Sequence, residues 1–298
     1  RHFCMSTKSK VEFTKMHGIG NDYVYIDCFK NPEPQAIEQL AIAMSDRHTG
    51  VGGDGIILVE PAEADADCRM RIFNADGSEA MMCGNGVRCV AKYYHDHINP
   101  SVTTVRVDTL SGVKPIRLIF KDSEVVGATV DMGEPILTPA EVPVRFEGDV
   151  MQEAPVETRG GVLRMTAVSM GNPHGVIFLD TLEGFDVHGI GRELEVHPMW
   201  PNRANIEFAA VRPGTDGSEI DMRVWERGSG ETMACGTGSC ATAVAAMLTK
   251  RSPRRVTIHL LGGDLEIEWA DNDHVMMTGP AAEVFTGTYL RTDSPEQS

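Results

Sequence analysis

The chain has 298 residues, 42% of them hydrophobic and 23% charged, which is ordinary for a globular protein and long enough for two buried cores. Its formal net charge of -16 argues against nucleic acid and anionic membranes as partners, because both select clustered Lys and Arg; a small zwitterionic or cationic ligand remains compatible. No apolar run reaches the roughly 18 residues of a membrane span and no signal-peptide core opens the chain, so a cytoplasmic location is expected.

Residues 1–4 precede Met5 and read as an added or leader-derived segment outside the fold. Short, partly alternating runs then predict strands over 11–16, 23–28, 56–59, 68–73, 102–108, 115–120 and 125–132. Between the first of these, residues 34–45 predict a helix with Pro34 at its start and Ile37, Leu40, Ala41 and Met44 on one face. A second helix is expected over 86–95. The Pro- and Glu-rich stretch 133–155 reads as a crossover, part of which can pair as strand. The strand pattern resumes over 162–169, 176–179, 206–211, 219–225, 256–261, 265–269 and 275–278, interrupted by a helix over 238–250 that reads as central and buried. The reading is α+β: two pseudo-symmetric halves, each of strands around one principal helix. The halves are placed at 11–131 with 279–291 and at 132–278, with 1–10 and 292–298 as flexible tails.

Two segments 152 positions apart carry the same pattern: Met70-Arg71-Ile72-Phe73 through Glu79-x-Met81-x-Cys83-Gly84-x-Gly86, and Met222-Arg223-Val224-Trp225 through Glu231-x-Met233-x-Cys235-Gly236-x-Gly238. Seven of seventeen positions are identical without a gap, which marks a duplicated half. Two related halves tend to pack about an approximate two-fold axis, and a pair of opposed thiols in the cleft between them is the first functional expectation.

The chain has seven cysteines, with neither a CxxC pair nor zinc-ligand spacing, which suits free thiols in a reducing compartment and gives no metal site. Cys28, Cys68, Cys89 and Cys240 read as small core residues. Cys83 and Cys235 stand apart because each ends a strand, with Gly-x-Gly expected to form a tight turn before a helix. A cysteine at a helix N-terminus faces unpaired N–H groups and the positive end of the dipole, both of which favour thiolate. The same N–H groups can hold a carboxylate. Two such thiols suggest removal of a proton from one face of a carbon and delivery to the other, with no cofactor. There is no Gly-rich nucleotide fingerprint and no lysine set for a Schiff base.

On these residues the chain resembles the diaminopimelate epimerase family over about residues 11–290. The resemblance runs through His17-Gly18-x-Gly20-Asn21-Asp22, Phe73-Asn74-Ala75-Asp76-Gly77-Ser78-Glu79, Met82-Cys83-Gly84-Asn85-Gly86, Gly171-Asn172-Pro173-His174, Trp225-Glu226-Arg227-Gly228 and Ala234-Cys235-Gly236-Thr237-Gly238. It implies cofactor-independent interconversion of LL- and meso-diaminopimelate in lysine and peptidoglycan synthesis, with Cys83 and Cys235 as the acid/base pair. It further implies that the amides at Gly84, Asn85, Gly236 and Thr237 bind the reacting α-carboxylate. Asn21, Asn74, Asn172, Asn205, Glu226 and Arg227 would then grip the substrate, largely at its distal end. A distal zwitterion needs a guanidinium and acceptors for ammonium, which Arg227, Glu226 and the Asn carbonyls supply. His174 can orient a catalytic group or serve the core. Glu79 and Glu231 fit bracing of the cysteine loops better than catalysis, because a carboxylate beside a thiolate would oppose its ionisation. The family fold is two curved sheets or barrels, each around a central helix, with the C-terminus returning to the first half, and it is often a homodimer. In Gly50-Val51-Gly52-Gly53-Asp54-Gly55, some members carry glutamine where Gly55 stands, so any contact of that side chain is absent here.

Proline racemase or hydroxyproline epimerase is the nearest alternative, but those substrates have no distal zwitterion to match Glu226 and Arg227. A thiol redox protein, with Cys83 and Cys235 forming a reversible disulfide, is the alternative from another class.

Overall fold

The structure, a computed structural model, describes residues 8–63 and 65–292. The chain divides into two compact units, Arg1–Ala128 with Ala281–Ser298, and Thr129–Pro280.

In the first unit, strand β1 (Lys8–Gly18) pairs antiparallel with β2 (Asn21–Asp27). Helix α1 (Ile37–Ser45) leads to β3 (Gly55–Glu60), which runs parallel to β2 and antiparallel to β4 (Cys68–Asn74). The two-residue β5 (Glu79–Ala80) folds back on β4 and feeds helix α2 (Gly84–His97). Strand β6 (Thr104–Thr109) runs parallel to β4 and antiparallel to β7 (Gly112–Lys121), and β8 (Glu124–Asp131) leaves the unit.

The second unit opens with β9 (Ala154–Thr158), antiparallel to β10 (Gly161–Ser169). From there the pairing order of the first unit recurs. Strand β10 is antiparallel to β11 (Pro173–Phe178), and after helix α3 (Val187–Glu195) strand β12 (Asn205–Val211) is parallel to β11 and antiparallel to β13 (Glu219–Glu226). The short β14 (Gly230–Glu231) feeds helix α4 (Gly236–Leu248). Strand β15 (Arg255–Leu260) is parallel to β13 and antiparallel to β16 (Gly263–Trp269), which pairs with β17 (Val275–Pro280). The chain then returns as β18 (Ala282–Thr292), antiparallel to β1 from Lys8 opposite Thr292 to His17 opposite Ala282.

Register converts this repeat into residue equivalences. Phe73 pairs with Ile56 and Trp225 with Ile206, so Ile57 and Glu207 occupy equivalent positions. Tyr23 pairs with Gly55 and His174 with Asn205, which makes Tyr23 equivalent to His174 and Asn21 to Asn172.

Each unit has its own core. Phe13, Val24, Ile26, Leu40, Met44, Ile56, Leu58 and Phe73 cluster in the first, and Met165, Ile177, Ile190, Leu194, Ile206, Phe208 and Trp225 in the second. Helix α4 is buried on every side from Gly238 to Ala246, as its small residues Ala241, Ala243, Ala245 and Ala246 permit. Helix α2 is sided instead, with a Lys92–Asp96 ion pair on its wetter face.

Several elements differ from the sequence reading. Helix α1 begins at Ile37 rather than Pro34, after Ala36 in the left-handed region at φ 48°. Helices α2 and α4 each begin two residues earlier than expected, because the cysteine itself is the N-cap. Helix α3 and strand β18 are additional, so among the described residues each unit holds two helices. Residues 154–158, which begin at the end of the expected crossover, are strand, and Ile136 bridges Ser169. Of the expected tails, 8–10 belong to β1 and 292 to β18, while 1–7 and 293–298 lie outside the described residues. Among the described residues, no helix is long and apolar enough to cross a membrane.

Candidate functional site

Cys83 sits where β5 hands the chain to α2, in extended backbone at φ -136° and ψ 118°, and its sulfur accepts the Gly86 N–H at 3.3 Å. Cys235 repeats this before α4, at φ -132° and ψ 109°, with the Gly238 N–H to its sulfur at 3.3 Å. The first-turn N–H groups have no partner within the helix, so a sulfur at the N-cap satisfies one of them and leaves others for an anion.

The glycines work differently from the sequence reading. Among the glycines with positive φ, none belongs to either Gly-x-Gly; all four lie inside the first helical turn. What the second glycine permits is close approach. A Cβ at Gly86 would lie 2.8 Å from Ile57 Cδ1, and one at Gly238 would lie 2.6 Å from Glu207 Oε1.

Around Cys83, the thiol donates to Asn21 Oδ1 at 3.2 Å, and Asn21 Nδ2 donates to Asp54 Oδ2 at 2.7 Å. Asp54 also takes the Asp22 N–H at 3.0 Å and pairs with Arg47 at 3.1 Å. The Tyr23 hydroxyl faces the Cys83 sulfur, and the fully buried Arg88 donates to Gly84 O at 3.2 Å and Asn85 Oδ1 at 2.8 Å. Asn74 lies at the end of β4, its amide donating to Ser78 Oγ at 3.1 Å. Glu79 takes the Arg71 guanidinium at 2.8 Å, a bond within the hairpin.

Around Cys235, a chain of hydrogen bonds leads inward. The Cys235 sulfur lies 3.6 Å from Thr237 Oγ1, which accepts from Asn172 Nδ2 at 3.4 Å. Asn172 Oδ1 is 3.0 Å from His174 Nε2, and His174 Nδ1 is 2.7 Å from Glu207 Oε1. His174 and Glu207 are both fully buried. Asn205 donates to Pro173 O at 3.0 Å and accepts the Arg227 N–H at 2.9 Å. Glu226 takes the Thr232 hydroxyl at 2.5 Å, and the exposed Arg227 guanidinium donates to Asn202 O at 3.1 Å. Glu231 takes Arg223 at 2.6 Å and His188 at 2.7 Å, repeating the Arg71–Glu79 brace.

The first unit therefore brings Asn21, Gly84 and Asn85 to Cys83, and the second brings Asn172, His174, Gly236 and Thr237 to Cys235. Tyr23, Asp54 and Glu207 belong to these surroundings and escaped the sequence reading. Asp54 stood in a quoted motif, and Glu207 is an acid inside an apolar run, which is a signal in itself. Glu195 is a fourth, accepting Trp225 Nε1 at 2.8 Å and the Gly228 N–H at 2.9 Å and so fixing the turn that carries Arg227.

Electrostatics also differ from the expectation of helix-activated thiolates. Burial pushes the Cys83 thiol up, while the Gly86 and Asn85 N–H groups, the Tyr23 hydroxyl and Arg88 pull it back only in part. Burial pushes Cys235 well above the usual thiol range, and Glu226 and Glu207 push further against the weaker help of Thr237 and Gly238. Desolvation here exceeds what one helix terminus supplies. Cys68 at about 12 and Cys89 at about 11 are raised mainly by burial, as core thiols are. All six cysteines among the described residues are free.

Residues 13–138 and 166–284 match the diaminopimelate epimerase family. Among curated relatives, the diaminopimelate epimerase of Acetivibrio thermocellus is 49% identical over 278 residues, covering 93% of this chain and 98% of its own. That of Pelotomaculum thermopropionicum is 50% identical over 280 residues, covering 94% and 99%. Among solved structures, a hydroxyproline epimerase from Agrobacterium vitis shares the fold at 15% identity with a TM-score of 0.67, covering 97% of this chain and 95% of that one. A Bacillus anthracis protein of the PhzF phenazine biosynthesis family shares it at 15% identity and a TM-score of 0.68, covering 94% and 99%. By the extent of the family match and by relatives near half-identical over almost its whole length, the chain belongs to the diaminopimelate epimerase family.

Proposed function

We propose that this protein is an isomerase that interconverts LL- and meso-diaminopimelate, with Cys83 and Cys235 as the base and the acid at one Cα. The observation that carries the reading is the duplicated N-cap thiol, each sulfur 3.3 Å from the second glycine N–H of its own helix, in a chain of this family. One thiolate takes the Cα proton while the other thiol delivers its own to the opposite face, and the roles reverse for the other isomer. Charge developing on the α-carboxylate is met by the first-turn N–H groups at Gly84, Asn85, Gly236 and Thr237. Asn21, Asn74, Asn172 and Asn205 orient the substrate, and Glu226 with Arg227 binds the distal ammonium and carboxylate. The halves have diverged where the substrate is asymmetric, since Glu226 and Arg227 stand where the first repeat has Asn74 and Ala75. His174 positions Asn172, and Glu79 and Glu231 brace the hairpins before each cysteine. A homodimer is the reading for the exposed Val284, Phe285 and Leu290 of β18, and sedimentation of the purified protein tests it.

The function is tested by incubating reduced protein with LL-diaminopimelate in D2O. Deuterium at Cα together with meso product is expected, lost as epimerisation in Cys83→Ala and in Cys235→Ala, with no exchange into proline. Full epimerisation by either variant would overturn the two-thiol reading.

A further inference from the structure

The two cysteine surroundings repeat in backbone but differ in charge. Position 57 of β3 is isoleucine, and its equivalent on β12 is Glu207. The fourth residue of α2 after its first residue, Gly84, is the buried Arg88, whereas the equivalent residue of α4, 152 positions on, is Cys240. Tyr23, whose hydroxyl faces Cys83, is replaced by His174, whose ring nitrogens meet Glu207 and Asn172.

Glu207 is fully buried, and only one of its oxygens is accounted for. Oε1 meets His174 Nδ1 at 2.7 Å, while Oε2 is buried without a hydrogen-bond partner. The carboxylate also lies against the first turn of α4, so closely that a Cβ at Gly238 would be 2.6 Å from Oε1. A buried acid with one oxygen unpartnered is costly to keep unless it serves something. At this position it competes with a Cys235 thiolate for the same helix terminus, while Ile57 offers Cys83 no such competitor.

We infer that Glu207 is a positioning residue: through His174, Asn172 and Thr237, and by its own charge beneath α4, it keeps the proton on Cys235 and leaves Cys83 to act first as base. The inference rests on the two-thiol reading given above. The charged or titratable groups facing Cys235 are Glu226 at the end of β13, Glu207 on β12 and His174 on β11. Those facing Cys83 are Tyr23 and Tyr25 on β2, Asp54 before β3, and Arg88 and Cys89 on α2. The first set adds negative charge to a buried sulfur; the second includes a guanidinium that stabilises one. The causes of the thiol shifts agree: burial raises both, while Glu226 and Glu207 add to the rise at Cys235 and Arg88 opposes it at Cys83.

The test is alkylation of reduced protein by iodoacetamide across pH 6 to 10, with peptide mapping to follow Cys83 and Cys235 separately. Cys83 is expected to react with the lower midpoint. In Glu207→Gln the Cys235 midpoint falls by about one pH unit, giving about tenfold faster alkylation near neutral pH, while the Cys83 midpoint stays in place. A loss of packing alone would not move one cysteine and spare the other. Coincident or reversed midpoints in the unmodified protein overturn the inference, as does an unmoved Cys235 in Glu207→Gln. Should that variant not fold, Glu207→Asp, which draws the charge back by one carbon, must lower the Cys235 midpoint by a smaller amount; an unmoved midpoint again overturns it. Deuterium exchange into LL-diaminopimelate is measured on the same samples. Its absence sinks the two-thiol reading whatever the midpoints, whereas exchange with coincident midpoints sinks the role of Glu207 alone.

Discussion

At Gly86 and Gly238 the repeated Cys-Gly-x-Gly pattern hides two different neighbours. Alanine at 86 would press on the end of the Ile57 side chain, at 2.8 Å, which can shift within an apolar core. Alanine at 238 would press on a carboxylate that is tied to His174, at 2.6 Å. Alanine also favours a helix over glycine by about 1 kcal/mol, so Gly86→Ala should come out near neutral, while Gly238→Ala should lose about 1–3 kcal/mol to overpacking. Urea midpoints of the two variants check this ordering. Glu195 offers a second case, since it holds both Trp225 Nε1 and the Gly228 N–H. Glu195→Gln keeps the shape but weakens the turn under Arg227, and is expected to raise KM severalfold while changing kcat less; a fall in kcat with KM unchanged would show a role in the chemical step itself.

At the scale of elements, the start of β2 is held by charge. Asp22 pairs with Lys15 at 2.5 Å and with Arg47 at 2.7 Å, and Lys15 also reaches the Gly52 carbonyl. Burial pushes the Asp22 carboxyl up, but the bonds from Arg47 and Lys15 outweigh it and hold the group below its usual range. A carboxyl lowered on folding adds stability above its unfolded value near 4, and that stability is lost as pH falls through the folded value. Asp22→Asn should therefore cost about 3 kcal/mol at pH 7, as breaking a largely buried pair does. The gap to the parent protein should close by pH 2, as followed by thermal unfolding at each pH.

Elements also show where sequence was readable. Strands with clean alternation and the two cysteine helices were legible because burial alone sets their pattern. Helix α3 was not, since Gly189 and Gly191 argue against a helix; yet a Cβ at Gly191 would lie 2.6 Å from the Trp225 side chain, so that glycine lets the helix press onto β13. Strand β18 was obscured in the same way by Gly287, where a Cβ would meet the Phe13 ring at 2.7 Å. Within the site, the cysteines, Asn21, Asn74, Asn85, Asn172 and the Glu226-Arg227 pair stood in motifs. Tyr23 and Glu207 did not, because their roles come from strand register and from a partner far away in sequence.

For the whole molecule, both thiols are raised by burial, which sets a pH dependence for the proposed reaction. The free enzyme holds little thiolate near neutral pH, so kcat/KM for LL-diaminopimelate should climb by about tenfold per unit between pH 7 and 8.5. A flat profile over that range would mean that the thiol acting as base already ionises near neutrality.

The pairing of β18 with β1, ten residues long and closing the first unit, carries a consequence for how the protein is made. Residues Thr129–Pro280 form one uninterrupted stretch, whereas the unit that begins first needs residues from beyond them. A ribosome therefore releases a first unit whose leading strand has one edge bare, then a second unit able to close on its own, and only afterwards the strand that covers that edge. Until then β1 exposes unpaired N–H and C=O groups, the kind of edge that other chains can pair with. The unit that starts synthesis is the one that finishes folding last, and nascent chains halted before residue 282 should be protected from protease in the second unit before the first.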